Sequence, residues 1–294
     1  KYATLAGELG EDETIEQSGK CVIVGDKTTY KAELKQMIVD EMISTMRKSF
    51  RTDRIHLCID ETASLGKGAY KKKFGSKDRT EIIYDHLTEL DKIVKKYNYR
   101  PIMFSDMFFR KLSPTGLYYN PVGHITKEMA SRIPENMTIC YWDYYHTQKN
   151  EYDYFMEEHK RFEKPIQFFG SVWTWEGLVE DTAFTYQTSV PAMLSCLEHG
   201  IDDVFITMWG DDGSETNPMH TLSTIPLFSE MYYKGRECSI EELDEVSKFL
   251  CGVKFSDKLE VSKLHGEIHL DQFLSKRIFY ADIMYDLVDI CYDY

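Results

Sequence analysis

Six short apolar runs, separated by stretches of helical spacing, are the feature that most constrains the fold of this chain. The runs lie at residues 2–6, 55–59, 102–104, 138–142, 166–172 and 204–208. Between them, apolar residues recur every three or four positions, most regularly in residues 80–99 and less regularly in residues 31–50 and 183–199. An alternation of strand, helix and strand in this rhythm predicts βαβ units and a parallel sheet, and hence an α/β fold.

The number of strands indicates which α/β architecture to expect. A TIM (β/α)8-type barrel needs eight strands, so six visible runs predict that this chain carries strands 3–8 and that two strands lie upstream of Lys1. A doubly wound open sheet is the alternative, but its glycine-rich phosphate turn is missing, and "GKGAY" has the wrong spacing. We predict a barrel domain at residues 1–235 and a helical segment at 236–294, with helices in "SIEELDEVSKFL" and "LDQFLSKRIFYADIMYDLVDI".

Composition and charge exclude several classes of function. Thirty-five Lys and Arg residues stand against 49 Asp and Glu residues, and a formal charge of -14 argues against binding to nucleic acid or to an anionic membrane. No apolar run approaches the ~18 residues of a membrane span. Seven scattered cysteines without a C-x-x-C pair argue against a zinc site or a disulfide framework. A signal-peptide pattern is absent from the N-terminal residues, so we expect a cytoplasmic protein; the sequence leaves open whether it forms a homodimer.

Acidic and aromatic residues follow the predicted strands, where the βα loops of a parallel barrel gather its functional groups. Asp60 and Glu61 follow the second run, and Asp106 follows the third. The next three runs end in "YWDYYH", "VWTWEG" and "MWGDDG", which contain all four tryptophans of the chain. Aromatic faces beside carboxylates suit a sugar, because its CH faces stack on rings while its hydroxyls donate to carboxylates. A core-filling role is the better interpretation of any single tryptophan, and the sugar site is the better interpretation of the set.

These acidic residues allow two other interpretations. The carboxylates of Asp60, Glu61, Asp106, Asp143 and Asp211 could form a cage for Mg²⁺ or Mn²⁺. We rank this below a sugar site and expect neither a metal nor another cofactor. Taken alone, Asp60 and Glu61 would be as compatible with a solvated turn or a helix N-cap as with a functional site. No serine or cysteine stands in a recognisable nucleophile-elbow motif.

The strand-end segments resemble glycoside hydrolase family 20, the β-N-acetylhexosaminidases, and in particular a compact bacterial clade. The similar pieces are "IHLCIDE", "IMFSDMFFR", "YWDYY", "VWTWEG" and "MWGDDGSE", in the order of the family. The resemblance implies a (β/α)8 barrel that removes terminal N-acetylglucosamine or N-acetylgalactosamine from glycans with retention. In this family the 2-acetamido oxygen of the substrate is the nucleophile.

The resemblance also implies roles for individual residues of this chain. Glu61 would be the general acid and then the base, and Asp60 would hold the acetamido N–H and stabilise the oxazolinium ion. The implied substrate-binding residues are Trp142 with Trp173 or Trp175 around the acetamido group, Tyr145 or Tyr144 as donor to its oxygen, Trp209 beneath the ring, and Asp211 at the outer hydroxyls. Asp106 is a further candidate for substrate binding from its place at a strand end.

The sequence departs from the family pattern at three positions. Gly7 and Ala63 stand where relatives carry histidines, and Phe104 stands where they tend to carry tryptophan. The arginine that grips the sugar in the family comes from the first barrel strand, for which this chain has no corresponding segment. Three alternatives therefore stay open: a non-catalytic carbohydrate-binding barrel, a metal-dependent barrel enzyme, and a retaining glycosidase with a nucleophile from the protein.

Overall fold

The computed structural model describes residues 15–18, 21–24, 29–62, 65–211 and 213–265. The predicted strand at residues 2–6 and the predicted helix within residues 270–290 lie outside this part of the chain, as do Gly7 and Ala63. Nothing about these expectations is tested by the described residues.

Seven strands lie within the described residues. They are β1 (Ile15–Ser18), β2 (Cys21–Val24), β3 (Arg54–His56), β4 (Arg100–Phe104), β5 (Thr138–Trp142), β6 (Ile166–Ser171) and β7 (Val204–Thr207). β1 and β2 form an antiparallel pair, which the sequence analysis did not predict. The other five form one sheet in the order β3-β4-β5-β6-β7. The pairs β3–β4, β4–β5 and β6–β7 are parallel, with Ile55 opposite Pro101, Met103 opposite Ile139, and Phe169 opposite Phe205.

The helices alternate with these strands. They are α1 (Thr29–Ser49), α2 (Gly68–Phe74), α3 (Arg79–Lys96), α4 (Asp106–Leu112), α5 (Lys127–Ser131), α6 (Lys149–Lys160), α7 (Thr182–His199), α8 (Pro226–Lys234), α9 (Ile240–Cys251) and α10 (Phe255–Val261). Short 3-10 helices span Pro218–Ser223 and Ser262–His265. Strands of one sheet that are separated by one or two helices, and then followed by C-terminal helices, form a partial (β/α) barrel, so the predicted fold class is confirmed.

Local signals explain where the helices begin and end. The Asp78 side chain accepts from the backbone N–H of Thr80 and of Glu81, which caps the start of α3. Ser239 and Glu242 form a reciprocal capping box at the start of α9. Gly200 ends α7 in the left-handed conformation with φ of 68°, which an L side chain adopts only with strain.

The chain divides into two compact units, residues 1–141 with 157–166, and residues 142–156 with 167–294. In the first unit, Ile43 of α1 and Val94 of α3 are buried together with Tyr99, which leads into β4. In the second unit, α7, α8, α9 and α10 share a core to which Met193, Leu227, Leu243 and Phe255 contribute. The predicted domain boundary near residue 235 stays a prediction.

Four of the strands predicted from the apolar runs closely match the structure, and β5 matches the run at residues 138–142 at both ends. The run at residues 55–59 was predicted too long, because β3 ends at His56. Its pairing with β4 still continues past the strand, since Leu57 N donates to Ile102 O at 2.8 Å and Phe104 N donates to Cys58 O at 3.0 Å. Within the described residues, none of the helices has the length and apolar character that crossing a bilayer requires.

Candidate functional site

The backbone after β3 is bent into an unusual conformation at the point where Asp60 and Glu61 lie. Cys58, Ile59 and Glu61 all have positive φ angles, of 61°, 72° and 51°. Such angles are uncommon outside glycine and are strained for a β-branched residue such as isoleucine. The left-handed residues end β3 early and place two adjacent carboxylates in different surroundings.

Asp60 and Glu61 differ sharply in exposure. Asp60 is buried at 5% relative exposure, whereas 53% of the Glu61 side chain is exposed. The helix N-cap interpretation is wrong, because α2 begins only at Gly68 and its N-cap residue is Lys67. A solvated turn fits Glu61 but not Asp60. A buried acid beside an accessible one is an arrangement in which the two carboxyl groups can serve different chemical roles.

Asp106, the first residue of α4, is bonded to the backbone of Glu61. The Glu61 N–H donates to Asp106 Oδ2 at 3.1 Å, and Arg110 Nε donates to the same oxygen at 3.0 Å. Arg110 also places its Nη2 3.6 Å from Glu61 Oε1. Asp106 therefore fixes the backbone of Glu61, while Arg110 lies within ion-pairing distance of both carboxylates. Sequence reasoning placed Asp106 at a strand end but did not find that it supports Glu61.

The Asp106 side chain is fully buried, and this burial changes the pKa of its carboxyl group. Desolvation raises the pKa of Asp106 from 3.8 to about 6, even though the Glu61 N–H and the Arg110 guanidinium favour the charged form. Oδ1 of Asp106 is buried without a hydrogen-bond partner. Asp106 thus holds its proton far more readily than an exposed aspartate does.

His56 lies in β3, close in sequence to the two acids. Its Nδ1 accepts from the backbone N–H of Cys58 at 3.0 Å, which identifies Nδ1 as the unprotonated nitrogen. Burial lowers the pKa of His56 to about 4, although the negative charge of Asp60 acts in the opposite direction. His56 is therefore neutral at physiological pH.

In the second unit, Tyr144 connects several of the predicted aromatic residues. Trp209 Nε1 donates to the Tyr144 hydroxyl at 3.1 Å, and Trp173 Nε1 donates to the Tyr144 carbonyl at 2.8 Å. The Tyr144 ring stacks on Trp142 with centroids 5.5 Å apart and meets Trp175 edge-on at 5.6 Å. All four tryptophans are therefore joined around one tyrosine, while their predicted role in binding a sugar stays a prediction.

The members of this aromatic group differ in their access to solvent. Trp142, Trp173, Trp175 and Tyr144 are buried, Trp209 is half-buried, and Tyr145 and Asp211 are exposed. Trp173 also packs edge-on against Phe184 at 4.7 Å. The structure thus leaves Trp209, Tyr145 and Asp211 most accessible to a ligand. The choice between Trp173 and Trp175, and between Tyr144 and Tyr145, stays open.

Asp143 and His146 form a close pair in the same segment. His146 Nδ1 lies 2.6 Å from Asp143 Oδ2, and the backbone N–H groups of Tyr145 and His146 donate to Asp143 Oδ1. Burial by itself would lower the pKa of His146, but the Asp143 carboxylate outweighs it and the pKa is raised. The buried Asp143 therefore shapes the turn that presents Tyr144 and Tyr145.

The metal interpretation finds no support in the described part of the chain, where no group of three or more His, Cys, Asp or Glu side chains has a geometry that could hold a metal ion. Of the five acids considered as a cage, Asp60, Glu61 and Asp106 lie in the first unit, and Asp143 and Asp211 lie in the second.

Replacing Tyr144 with phenylalanine should weaken the aromatic group. Tyr144→Phe removes the acceptor of the Trp209 indole N–H, and a lost hydrogen bond of this kind costs about 1 kcal/mol. We expect urea denaturation to show that loss in the free energy of unfolding, with a change in tryptophan emission. Tyr233→Phe is the matched control, since Tyr233 is 84% exposed and its variant should unfold like the parent. Equal unfolding of both variants would show that the bond does not stabilise the group.

Comparison with known proteins gives similarity only at the level of solved structures. No protein-family model matches the sequence, and no curated protein matches it. A β-N-acetylhexosaminidase from Bacteroides fragilis is 14% identical with a TM-score of 0.34, over 57% of this chain and 30% of that chain. A chitobiase from Flavobacterium johnsoniae is 12% identical with a TM-score of 0.40, over 78% of this chain and 32% of that chain.

An exo β-N-acetylglucosaminidase from Vibrio harveyi, solved with N-acetylglucosamine, is likewise 12% identical with a TM-score of 0.40, over 78% of this chain and 35% of that chain. This chain spans about a third of the length of each of the three structures.

Proposed function

We propose that this chain contributes the catalytic barrel of a glycoside hydrolase, an exo-acting β-N-acetylhexosaminidase that acts on glycans ending in N-acetylglucosamine or N-acetylgalactosamine. The observation that carries the proposal is the pair at the end of β3, where a buried Asp60 adjoins an exposed Glu61. The sequence motifs that resemble family 20 assign the acid and the stabilising carboxylate to these two positions. The proposal takes residues 1–235 as the catalytic part of the chain.

In the proposed mechanism, Glu61 first acts as an acid. Its carboxyl group donates a proton to the glycosidic oxygen while the acetamido oxygen of the substrate attacks C1, so that the glycosidic bond breaks and an oxazolinium ion forms. Asp60 accepts from the acetamido N–H and stabilises the developing positive charge. Glu61 then removes a proton from water while the water oxygen attacks C1. This attack opens the oxazolinium ring and regenerates the acetamide, with retention of configuration at C1.

The aromatic residues supply binding in this proposal. Trp142 with Trp173 or Trp175 encloses the acetamido group, and Tyr145 or Tyr144 donates to its oxygen. Trp209 stacks on the sugar ring, and Asp211 accepts from its outer hydroxyls. Trp209 and Asp211 suit these tasks because they are the half-buried and exposed members of the set. Asp106 holds the backbone of Glu61 instead of binding the sugar directly, since its side chain is fully buried.

A pair of matched substrates tests the proposal in the full-length protein. We expect release of the aryl group from an aryl N-acetyl-β-glucosaminide and none above background from the aryl β-glucoside, because only the former carries the nucleophile. An N-acetylglucosamine thiazoline, which mimics the oxazolinium ion, should inhibit the release.

Each of the other outcomes identifies a different function. Equal turnover of the plain glucoside would indicate a nucleophile from the protein, and loss of activity in EDTA would indicate a metal enzyme. Binding of N-acetylglucosamine without any turnover would indicate a carbohydrate-binding barrel.

A further inference from the structure

The loop that carries Trp175 has both of its ends fastened to the start of α7. Asp181 N donates to Trp173 O at 2.8 Å, and the two residues form an isolated antiparallel β-bridge that closes the loop. Trp173 N donates to Thr185 Oγ1 at 3.0 Å, and Asp181 Oδ1 accepts from Phe184 N at 3.0 Å. The conformation between these two ends depends on what holds the residues in the middle of the loop.

Glu180, near the end of this loop, is fully buried and forms an ion pair with a residue of α10. Lys258 Nζ lies 2.6 Å from Glu180 Oε1, and only 12% of the Lys258 side chain is exposed. Burial raises the pKa of Glu180, and Lys258 together with the side chains of Thr224 and Thr182 offsets only part of that effect. A buried carboxylate that loses the cation paired with it becomes strongly destabilising. The loop conformation with Glu180 inside therefore requires Lys258.

Two more contacts fasten the same stretch to the residues that follow Lys258. Ala183 N donates to Ser262 Oγ at 3.0 Å. His265 Nε2 lies 3.3 Å from the carbonyl oxygen of Glu180, which can only accept, so Nε2 carries the proton. Three contacts from α10 and the following 3-10 helix thus converge on residues 180–183.

We propose that Lys258 is a positioning residue for the aromatic loop, so that the C-terminal helical segment sets the geometry with which Trp175 meets a ligand. The consequence for sugar binding rests on the proposed function. Trp175 lies 4.1 Å from Trp173 between ring centroids, and a shift of the loop would change this stack together with the Tyr144 contact. Lys258 does not touch the aromatic rings itself and acts through Glu180.

The sugar readout compares three variants of the full-length protein. Lys258→Met should raise KM for an aryl N-acetyl-β-glucosaminide about tenfold with little change in kcat, since misplacement of a binding group by a fraction of an ångström has effects of this order. Lys258→Arg keeps the positive charge and should restore KM to within about twofold. Lys263→Met is the matched control, because Lys263 pairs with Glu260 on the same segment at 71% and 70% exposure and should leave KM unchanged.

A second readout does not depend on the sugar. Acrylamide should quench tryptophan fluorescence more strongly in Lys258→Met than in the parent, and Trp175→Phe should remove most of that difference. If the parent protein neither binds nor hydrolyses the sugar, the proposed function fails while this quenching result still decides the role of Lys258.

If Lys258→Met does not fold, the double variant Lys258→Met/Glu180→Gln replaces it, because this variant removes both charges of the pair. A folded double variant that retains the raised KM or the raised quenching supports the positioning role. A folded single or double variant with the KM and quenching of the parent overturns it.

Discussion

Glu61→Gln is expected to lower kcat/KM for aryl N-acetyl-β-glucosaminides by about 10²–10⁴-fold, the contribution typical of general acid–base catalysis. Glutamine has nearly the same shape but can neither protonate the leaving oxygen nor activate water. The variant should fold normally, because the Glu61 side chain is 53% exposed and its bond to Asp106 comes from the backbone N–H. Only the 3.6 Å contact with Arg110 is weakened, and an exposed pair of this kind contributes little to stability.

The leaving group separates the acid step from other effects. A poor leaving group needs the proton of Glu61, whereas a strongly activated phenol leaves without it, so the loss should shrink as the phenol becomes more acidic. Glu128→Gln is the control, since Glu128 is an exposed acid on α5 of the same unit. Equal losses with all leaving groups, or full activity in Glu61→Gln, would exclude Glu61 as the general acid.

The sequence predicted the parts of the fold that depend on local periodicity. β5 was predicted exactly, and the helical spacing at residues 80–99 corresponds to α3, whose buried face carries Ile83, Leu87 and Val94. The run at residues 55–59 predicted a strand that is too long, because Cys58 and Ile59 are of residue types that are common in strands. Periodicity encodes neither their positive φ angles nor the hydrogen bond from Phe104 N to Cys58 O.

The chemistry of individual side chains was harder to predict than their presence at the site. The order of the motifs placed Asp106 at a strand end, but only the turn after β3 shows that it accepts from the Glu61 N–H. In the same way, no local pattern links Glu180 to Lys258, because the two lie far apart in sequence and meet only through the packing of α10 on α7. Contacts of this kind become visible only in three dimensions.

Asp106→Asn should change the pH dependence of stability. The folded protein holds the Asp106 proton up to about pH 6, whereas the unfolded chain releases it near 3.8. Between these values the folded state binds more protons than the unfolded state, so the stability of the parent falls as pH rises. The cost is absent below about pH 4 and reaches about 3 kcal/mol above about pH 6. Asparagine cannot ionise, so the variant avoids this cost.

The measured quantity is the difference in free energy of unfolding between variant and parent, determined by urea denaturation from pH 4 to pH 8. We expect it to move by about 3 kcal/mol in favour of Asp106→Asn as pH rises. Any pH-independent cost of the altered bonds to Arg110 and Glu61 cancels in that change. His56 also makes stability depend on pH, because its lowered pKa makes the folded protein more stable as pH rises through the same range. This effect cancels in the difference, since both proteins contain His56.

Asp202→Asn provides the matched control, since Asp202 is an exposed aspartate. Its difference from the parent should stay nearly constant with pH. A constant difference for Asp106→Asn as well would mean that Asp106 ionises in the folded protein as easily as in the unfolded chain. The carboxylate that holds the backbone of Glu61 would then carry its charge without a cost to stability, and the Arg110 guanidinium would have to compensate its burial fully.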